Sequence, residues 1–343
     1  MSFSLRFHRY IPGPGRKLIG PCVNGNVDVD VAEASQAYRG ELLAHCYRML
    51  GSLHDAEDLV QETLLRAWRS APAYDPAKAS LRTWLYRIAT NACLTALADR
   101  GRRWLPAGLS GPSWEPDIGK LSKSPDDFPW LSPFPDRLLD PAAVAESRDS
   151  IRLAFVAALQ HLPPRQRAVI ILREVLALPA AEVASWLDMS VASVNSALQR
   201  ARATLADASP SPDAVAEPSE DAQRALLSKY VAAFGAMDVE ALKRTLREDA
   251  LLQMPPFPAW FLGPDAIGAF HVSLFARGGS YQFVPTRSNG QPAFGIYLRR
   301  DTDTFAFRHV QVLTVLADGI ARIDAFQAKG LAEAFGLPGE LPG

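Results

Sequence analysis

The stretch LPPRQRAVIILREVLALPAAEVASWLDMSVASVNSALQRARATL, residues 162–205, carries the signals of three consecutive helices. Pro164 and Pro179 open the first two, since proline is tolerated where a helix needs no backbone N–H. Asp188 marks the predicted turn, and Ser190 is a good N-cap for the third helix. This order and spacing predict that the last two helices form a helix-turn-helix.

The third predicted helix has two contrasting faces. One face is an apolar stripe at helical spacing, formed by Val191, Val194, Leu198, Ala201 and Leu205. The other carries amide, hydroxyl and guanidinium groups: Asn195, Ser196, Gln199, Arg200 and Arg202. Amides bond base edges in the major groove, and arginine reaches guanine or phosphate, so this face suits DNA binding. A helical hairpin with a solvated polar face has the same pattern, and these residues alone leave both interpretations open.

Composition sets limits on the class of protein. The 343 residues suffice for two or three domains, and a net charge of −1 means that any nucleic-acid surface must be local. The three cysteines form no CxxC pair, so we expect neither a structural disulfide nor a zinc site. No cofactor is expected either. No run approaches the ~18 apolar residues of a membrane span, and the N-terminal stretch lacks the apolar core of a signal peptide. A cytoplasmic location is therefore predicted.

Two helical segments precede the helix-turn-helix, at residues 35–70, with a break at Gly51, and at residues 81–100. From His54 to Trp68 the inward face is predicted to hold Leu59, Val60, Thr63, Leu64, Ala67 and Trp68. The outward face carries Asp58, Gln61, Glu62 and Leu65. An acidic face of this kind suits a basic partner helix. An ordinary solvated face has the same pattern, and the chemistry alone favours that interpretation.

The second of these segments ends in a basic cluster, Arg100, Arg102 and Arg103. Arginines beside aromatic side chains suit single-stranded DNA, which is bound through phosphate neutralisation and base stacking. The aromatic Trp84 is better explained as a core residue, whereas the arginine cluster is better explained by phosphate.

These segments together resemble one family. DAEDLVQETLLRAW (55–68), SLRTWLYRIATNACL (80–94), LPPRQRAVIILREVL (162–176) and SVNSALQRARATL (193–205) resemble bacterial sigma factors of the extracytoplasmic-function (ECF) group, in that family's order and spacing. The resemblance implies two sigma domains. The first, conserved region 2, docks on the β′ clamp of core RNA polymerase and reads the melted −10 element. The second, region 4, reads the duplex −35 element beside the β flap.

The resemblance also implies roles for individual residues. Polymerase contacts are expected at Asp58, Gln61 and Glu62. The −10 strand is expected to meet Tyr74, Asn91, Arg100, Arg102 and Arg103, with the 74–80 loop capturing a flipped base. The −35 element is expected to meet Arg165, Asn195, Ser196, Gln199, Arg200 and Arg202, and Arg167 matches a position near the DNA backbone or the flap. Thr95 and Asn195 depart from the family's common residues, so promoter preference does not transfer.

A Pro-rich linker of residues 104–145 separates the two blocks. It contains more large apolar side chains than a flexible linker would have: Trp104, Trp114, Phe128, Trp130, Leu131 and Phe134. Two compatible interpretations remain open. The linker threads toward the polymerase active site, as in sigma factors, or its aromatics dock on the chain's own domains.

The C-terminal residues 221–343 change pattern, from helices to antiparallel strands at 281–286, 293–298, 305–316 and 320–326. This order predicts an α+β cone and resembles SnoaL-like domains, the fold of ketosteroid isomerase. Candidate pocket residues are Trp260, His271, Tyr281, Asn289, His309 and Asp324. His309 shares strand parity with Phe305, Phe307 and Gln311, so all should point the same way. Only Asp324 and His309 suggest an acid–base pair, and catalysis is not expected.

The predicted organisation is a multidomain chain. It comprises a disordered segment (1–32), region 2 (33–103), a Pro-rich linker (104–145), region 4 (146–207), a second linker (208–220) and a SnoaL-like regulatory domain (221–343). The predicted function is that of a sigma factor, with core polymerase and promoter DNA as partners, no membrane, and an unidentified small ligand in the C-terminal domain. The alternative is an isomerase-like enzyme or ligand sensor fused to a DNA-binding module.

Overall fold

The computed structural model describes residues 33–98, 101–139, 149–208, 218–300 and 303–343. The chain forms two compact units. A helical unit contains residues 1–50, 54–100 and 158–208, and a sheet unit contains residues 51–53, 101–157 and 209–343. The predicted N-terminal disorder, Arg100 and most of the second linker lie outside the described residues.

Helices in the N-terminal two thirds of the described chain include Arg39–Leu50 (α1), Leu53–Ser70 (α2), Leu81–Ala98 (α3), Leu153–Leu159 (α4), Pro164–Ile170 (α5), Ala180–Leu187 (α6) and Val191–Ala208 (α7). A π-helical turn, Ile171–Val175, extends α5. The break predicted at Gly51 separates α1 from α2, since this glycine has a φ of 68°, in the left-handed region. The boundary between the two units falls within α4.

Polar bonds connect α1 to α3 inside the helical unit. The Glu41 carboxylate accepts from the Arg82 guanidinium at 2.6 Å and from the Tyr86 hydroxyl at 3.1 Å. The buried His45 Nε2 lies 3.0 Å from Thr90 Oγ1. Burial lowers the pKa of His45 to about 3, so this imidazole is neutral and acts as a hydrogen-bonding core group.

The helix-turn-helix forms as predicted. Asp188 ends α6 in the left-handed conformation, with a φ of 53°. The Ser190 hydroxyl accepts from the Ser193 backbone N–H at 3.1 Å and so caps α7. The apolar stripe of α7 is buried from Val194 onward, whereas Val191, predicted to belong to it, is 44% exposed.

The sheet unit contains seven strands among the residues described: Leu246–Gln253 (β1), Trp260–Leu262 (β2), Ser280–Ser288 (β3), Gln291–Arg299 (β4), Thr304–Leu316 (β5), Gly319–Phe326 (β6) and Glu340–Pro342 (β7). Their order is β2-β1-β6-β5-β4-β3, with β7 paired to β5. The β1–β6 pair is parallel and the others are antiparallel. The helices are Glu220–Gly235 (α8), Val239–Lys243 (α9), Gly263–Phe275 (α10) and Leu331–Phe335 (α11). The predicted α+β class is confirmed.

Part of the predicted linker belongs to this sheet unit. Leu131 and Phe134 are buried, while Trp114 is 92% exposed. The Ser113 backbone N–H donates to the Trp260 carbonyl at 2.7 Å, and the Ser124 N–H donates to the Pro256 carbonyl at 2.9 Å. Residues 101–139 therefore run along the C-terminal domain as a strap, which supports the interpretation that the linker docks on the chain's own domains.

No helix among the described residues is both long and apolar enough to span a membrane.

Candidate functional site

The polar face of α7 is open to solvent. Asn195, Ser196, Gln199 and Arg200 are all exposed, and the opposite face packs against α5 and α6. Arg200 Nη1 donates to Ser196 Oγ at 2.7 Å, which orients the guanidinium along the helix surface. Asn195 and Gln199 lie one turn apart, so their amides project side by side. This surface presents both hydrogen-bond donors and acceptors to solvent.

The basic residues predicted for the same surface have different environments. Arg165 is exposed at the start of α5. Arg202 is exposed but forms an ion pair with Glu174. This pair ties α7 to the π-helical turn, so Arg202 has a structural partner in addition to its predicted DNA contact.

Arg167 does not lie on the surface, contrary to its predicted place near DNA or the flap. Its side chain is 3% exposed and bonds backbone carbonyls around it. Nη2 donates to the Gln160 and Leu162 carbonyls at 3.2 and 3.1 Å, and Nη1 donates to Gln160 Oε1 at 2.8 Å. Nη1 also bonds the Met49 carbonyl of α1. Arg167 thus fastens α5 to α1 inside the helical unit.

The outward face of α2 is acidic with apolar side chains beside the acids. The Asp58 carboxylate lies 3.3 Å from His54 Nδ1, and the Glu62 carboxylate accepts from Arg66 Nε at 2.7 Å. Gln61 and Leu65 are exposed on the same face. Trp68, predicted to point inward, is 54% exposed. It lies three residues beyond Leu65 and so extends this face, because helix positions three and four apart are neighbours.

The residues predicted for the −10 strand fall in both units. Tyr74 packs against the partly buried Trp84, with ring centroids 4.9 Å apart, and its hydroxyl donates to the Ala79 carbonyl at 3.2 Å. Asn91 is exposed on α3. Arg102 and Arg103 belong to the sheet unit, where the Arg102 guanidinium stacks over the Trp104 ring at 3.9 Å. Arg100 lies outside the described residues.

The sheet unit holds a cavity of about 520 Å³. Of the six candidate pocket residues, His271, Tyr281 and His309 line it. Trp260 does not; its indole Nε1 donates to the Ser110 carbonyl of the strap at 2.8 Å. Asp324 does not either; this fully buried carboxylate accepts from Arg322 Nε and from Gln253 Nε2. The proposed Asp324–His309 pair is therefore not presented to the cavity.

Asn289 also lies outside the cavity lining, because it forms the β3–β4 turn. Its φ of 56° and that of Gly290, 70°, are the left-handed values that an Asn-Gly hairpin turn requires. Asn289 Oδ1 accepts from the Phe134 N–H at 2.8 Å, and Nδ2 donates to the Ile151 carbonyl at 2.8 Å. Asp136 Oδ1 accepts from the Gly290 N–H at 2.9 Å. The Asn-Gly dipeptide is a sequence signal for this turn. Nothing in the dipeptide predicts that the turn contacts the strap.

The prediction that alternate side chains of β5 point the same way is wrong for part of the strand, because the β4–β5 register shifts between Ile296 and Tyr297. His309 pairs with Ile296 and Phe307 with Tyr297, so one extra residue, Arg308, lies between them. His309 and Gln311 line the cavity as predicted together, but Phe307 packs against Tyr297 with ring centroids 5.5 Å apart. The bulge also brings Arg308 into the cavity lining, which the sequence analysis missed.

Two family models match the chain. Sigma-70 region 2 matches residues 35–103, and Sigma-70 region 4 matches residues 152–205. The first model spans the helices that carry the acidic face and Asn91. The second spans the helix-turn-helix with its exposed amide face.

Relatives extend the similarity to most of the chain. The ECF RNA polymerase sigma factor SigG of Mycobacterium tuberculosis (strain ATCC 25618 / H37Rv) is 46% identical over 318 residues, covering 91% of this chain and 85% of that protein. SigJ of the same strain is 28% identical over 257 residues, covering 71% and 73%. The crystal structure of M. tuberculosis SigJ superposes with a TM-score of 0.61 at 22% identity, covering 89% of this chain and 99% of that one. The chain belongs to the ECF RNA polymerase sigma factors.

Proposed function

We propose that the chain binds core RNA polymerase, recognises the −35 and −10 promoter elements and starts transcription, with no catalytic chemistry of its own. The observation that carries this proposal is the exposed face of α7, with Asn195, Ser196, Gln199 and Arg200 on a helix whose other face is buried. Membership of the sigma-factor family supports it. The partners are the polymerase β′ clamp and β flap, duplex DNA at −35 and melted DNA at −10.

At the −35 element, α7 would enter the major groove as the second helix of a helix-turn-helix. An amide side chain pairs bidentately with adenine, and the Arg200 guanidinium suits guanine or a phosphate. Arg165 is exposed at the start of α5 and is assigned to the DNA backbone. Arg202, since Glu174 already holds it, is assigned a supporting contact only.

Substituting Gln199→Ala should reduce discrimination at the −35 element by about 1–3 kcal/mol, because one bidentate amide–base contact is lost. The measurement is holoenzyme affinity for a promoter and for the same promoter with an altered −35 sequence. Gln223→Ala, a partly exposed glutamine of the C-terminal domain, is the control and should leave the ratio unchanged. A wild-type ratio in the Gln199 variant would refute the assignment.

The outward face of α2 is assigned to the polymerase clamp. Asp58, Gln61 and Glu62 supply polar and acidic groups, and the exposed Leu65 and Trp68 supply apolar area. An interface patch with an exposed tryptophan at its edge matches the composition of binding hot spots. A basic helix with an apolar seam would complement this face.

Gln61→Ala should weaken binding to core polymerase roughly tenfold, as expected for loss of one hot-spot contact worth about 1–2 kcal/mol. Gln61 is preferred over Glu62 as the test because Glu62 also pairs with Arg66 on its own helix. Fluorescence anisotropy of labelled protein against core enzyme measures the affinity, again with Gln223→Ala as the matched control. Unchanged affinity in Gln61→Ala would remove the clamp assignment.

Tyr74 and Asn91 are assigned to the melted −10 strand. Both lie in the helical unit, Tyr74 at the start of the loop before α3 and Asn91 on the exposed side of α3. Arg102 and Arg103 are assigned to the DNA backbone, as is Arg100, which the structure does not describe. Phosphate contacts of this kind would make promoter binding sensitive to salt.

The C-terminal domain is assigned a modulating role through the strap. Residues 101–139 connect the two sigma regions in sequence, and hydrogen bonds hold them to this domain. An isomerase-like activity is the weaker alternative. An isomerase needs a carboxylate or histidine base with a partner that orients it. His271 and His309 line the cavity, but none of the described lining residues is an aspartate or glutamate that could pair with them.

A further inference from the structure

The cavity of the C-terminal domain has an apolar interior. Its walls include Phe234, Leu252, Met254, Phe257, Phe270 and Leu274. Edge-to-face aromatic contacts pack around Phe234, with His271, Phe275, Tyr281 and Phe283 all within 5.4 Å between ring centroids. A volume of about 520 Å³ is within the range of small-molecule sites, which is roughly 300–1,000 Å³.

Four cationic side chains line the same cavity: Lys123, Arg277, Arg300 and Arg308. All four are solvent-exposed, so they lie where the cavity opens. Among the described residues, the guanidinium groups of these three arginines form no ion pair or hydrogen bond. The Asp117 carboxylate lies nearby on the strap, where it accepts from the Gly119 N–H at 2.8 Å. With no carboxylate in the described lining, the opening has a positive potential that favours an anion.

The cavity also has buried polar groups. Gln311 is 2% exposed, and its side chain lies beside the buried Tyr230 hydroxyl. The Tyr281 hydroxyl is buried without a partner. An unpaired buried polar group is unfavourable, so a hydroxyl or N–H on a bound molecule would be stabilised there. Burial lowers the pKa values of His271 and His309 to about 4, so neither imidazole adds charge at neutral pH.

The strap forms one wall of the cavity. Ile118 and Leu121 pack against the core of the domain, and the Ile118 N–H donates to Ser273 Oγ at 3.2 Å. Arg277 lies directly over Gly119, where a side-chain carbon would come within 2.8 Å of a guanidinium nitrogen. A molecule in the cavity would therefore contact the strap and the domain at once.

We propose that this cavity binds an amphipathic organic acid, with the acid group among Arg277, Arg300 and Arg308 and an apolar, ring-bearing body inside. The molecule bridges the strap and the C-terminal domain and so holds the strap in place. Binding itself does not depend on the sigma-factor assignment, whereas its effect on transcription rests on the proposed function.

The test uses the full-length protein and two fluorescent probes with the same ring system. One is 8-anilinonaphthalene-1-sulfonate, which is anionic, and the other is N-phenyl-1-naphthylamine, which is neutral. The sulfonate should bind saturably, one molecule per chain, and at least about tenfold more tightly than the neutral probe, a difference of about 1.4 kcal/mol. Sulfonate binding should also slow hydrogen exchange in residues 113–124.

The double variant Arg277→Gln/Arg308→Gln should lose at least about tenfold in sulfonate affinity and keep its affinity for the neutral probe. Arg244→Gln is the matched control, since Arg244 is exposed on the same domain and does not line the cavity. Equal affinities for the two probes, unchanged sulfonate affinity in the double variant, or no saturable binding would each overturn the proposal.

Run-off transcription by the same preparations with core polymerase separates the two hypotheses. Promoter-dependent transcripts without selective sulfonate binding would overturn this inference and leave the sigma-factor function standing. Selective sulfonate binding without transcripts would support this inference and overturn the proposed sigma-factor function. Selective sulfonate binding, combined with transcripts whose yield changes when the sulfonate is added, would support both the inference and the sigma-factor function.

Discussion

Replacing Arg167 by methionine should destabilise the helical unit by about 3–5 kcal/mol, because several buried carbonyl and amide oxygens lose their hydrogen-bond donor. The guanidinium makes four hydrogen bonds, to the Met49, Gln160 and Leu162 carbonyls and to the Gln160 side chain. Methionine fills a similar length but donates nothing. Three buried carbonyls would then lose a donor, and each unpaired group costs about 1–3 kcal/mol.

Hydrogen exchange on the full-length protein measures this effect without assuming a single unfolding transition. The protected amides of α1 and α5 should exchange at least a hundredfold faster in Arg167→Met, since each 1.4 kcal/mol is about tenfold in an opening equilibrium. Arg165→Met is the matched control: Arg165 is exposed two residues earlier, and its replacement should change stability by less than about 0.5 kcal/mol. Equal exchange in the two variants would contradict the structural role of Arg167.

Arg165 and Arg167 also show what the sequence could predict. The proline, turn and cap signals around Asp188 and Ser190 are local, so the helix-turn-helix was predictable from short segments. Whether an arginine on α5 is exposed depends on carbonyls from α1, 118 positions away for Met49. Helical periodicity puts Arg165 and Arg167 on different faces of α5, about 200° apart, but it does not reveal the carbonyls that the buried guanidinium bonds.

The candidate pocket shows a similar limit. Alternation along β5 correctly placed His309 and Gln311 on one face, but a single bulge moved Phe307 off it and Arg308 onto it. Trp260, Asn289 and Asp324 are polar or aromatic and lie in the right domain, yet their hydrogen bonds satisfy the strap or the sheet. Residue type indicated which side chains are able to bind a ligand. Which of them are already hydrogen-bonded to other parts of the protein depends on the tertiary packing.

Replacing Asn289 should loosen residues 131–139 of the strap where they contact the β3–β4 turn. Its side chain bonds the Phe134 N–H, the Ile151 carbonyl and the Ser288 hydroxyl, all inside the sheet unit. Asn289→Gly keeps the left-handed turn and removes only these bonds, for a loss of about 1–3 kcal/mol. Asn289→Ala removes the same bonds and adds roughly 1–2 kcal/mol, because alanine is strained at a φ of 56°.

Hydrogen exchange in residues 131–139 should therefore accelerate in the order wild type, Asn289→Gly, Asn289→Ala. Gln282→Ala changes an exposed residue of β3, the strand that leads into the turn, and should match wild type. If the strap transmits the modulating role that we propose, run-off transcription from one promoter should shift in the same direction in both variants and further in alanine. Faster strap exchange with unchanged transcript yield would refute the modulating role while leaving the anchor intact. Unchanged exchange in Asn289→Gly would refute the anchor itself, because glycine keeps the turn but lacks the side chain that bonds the strap.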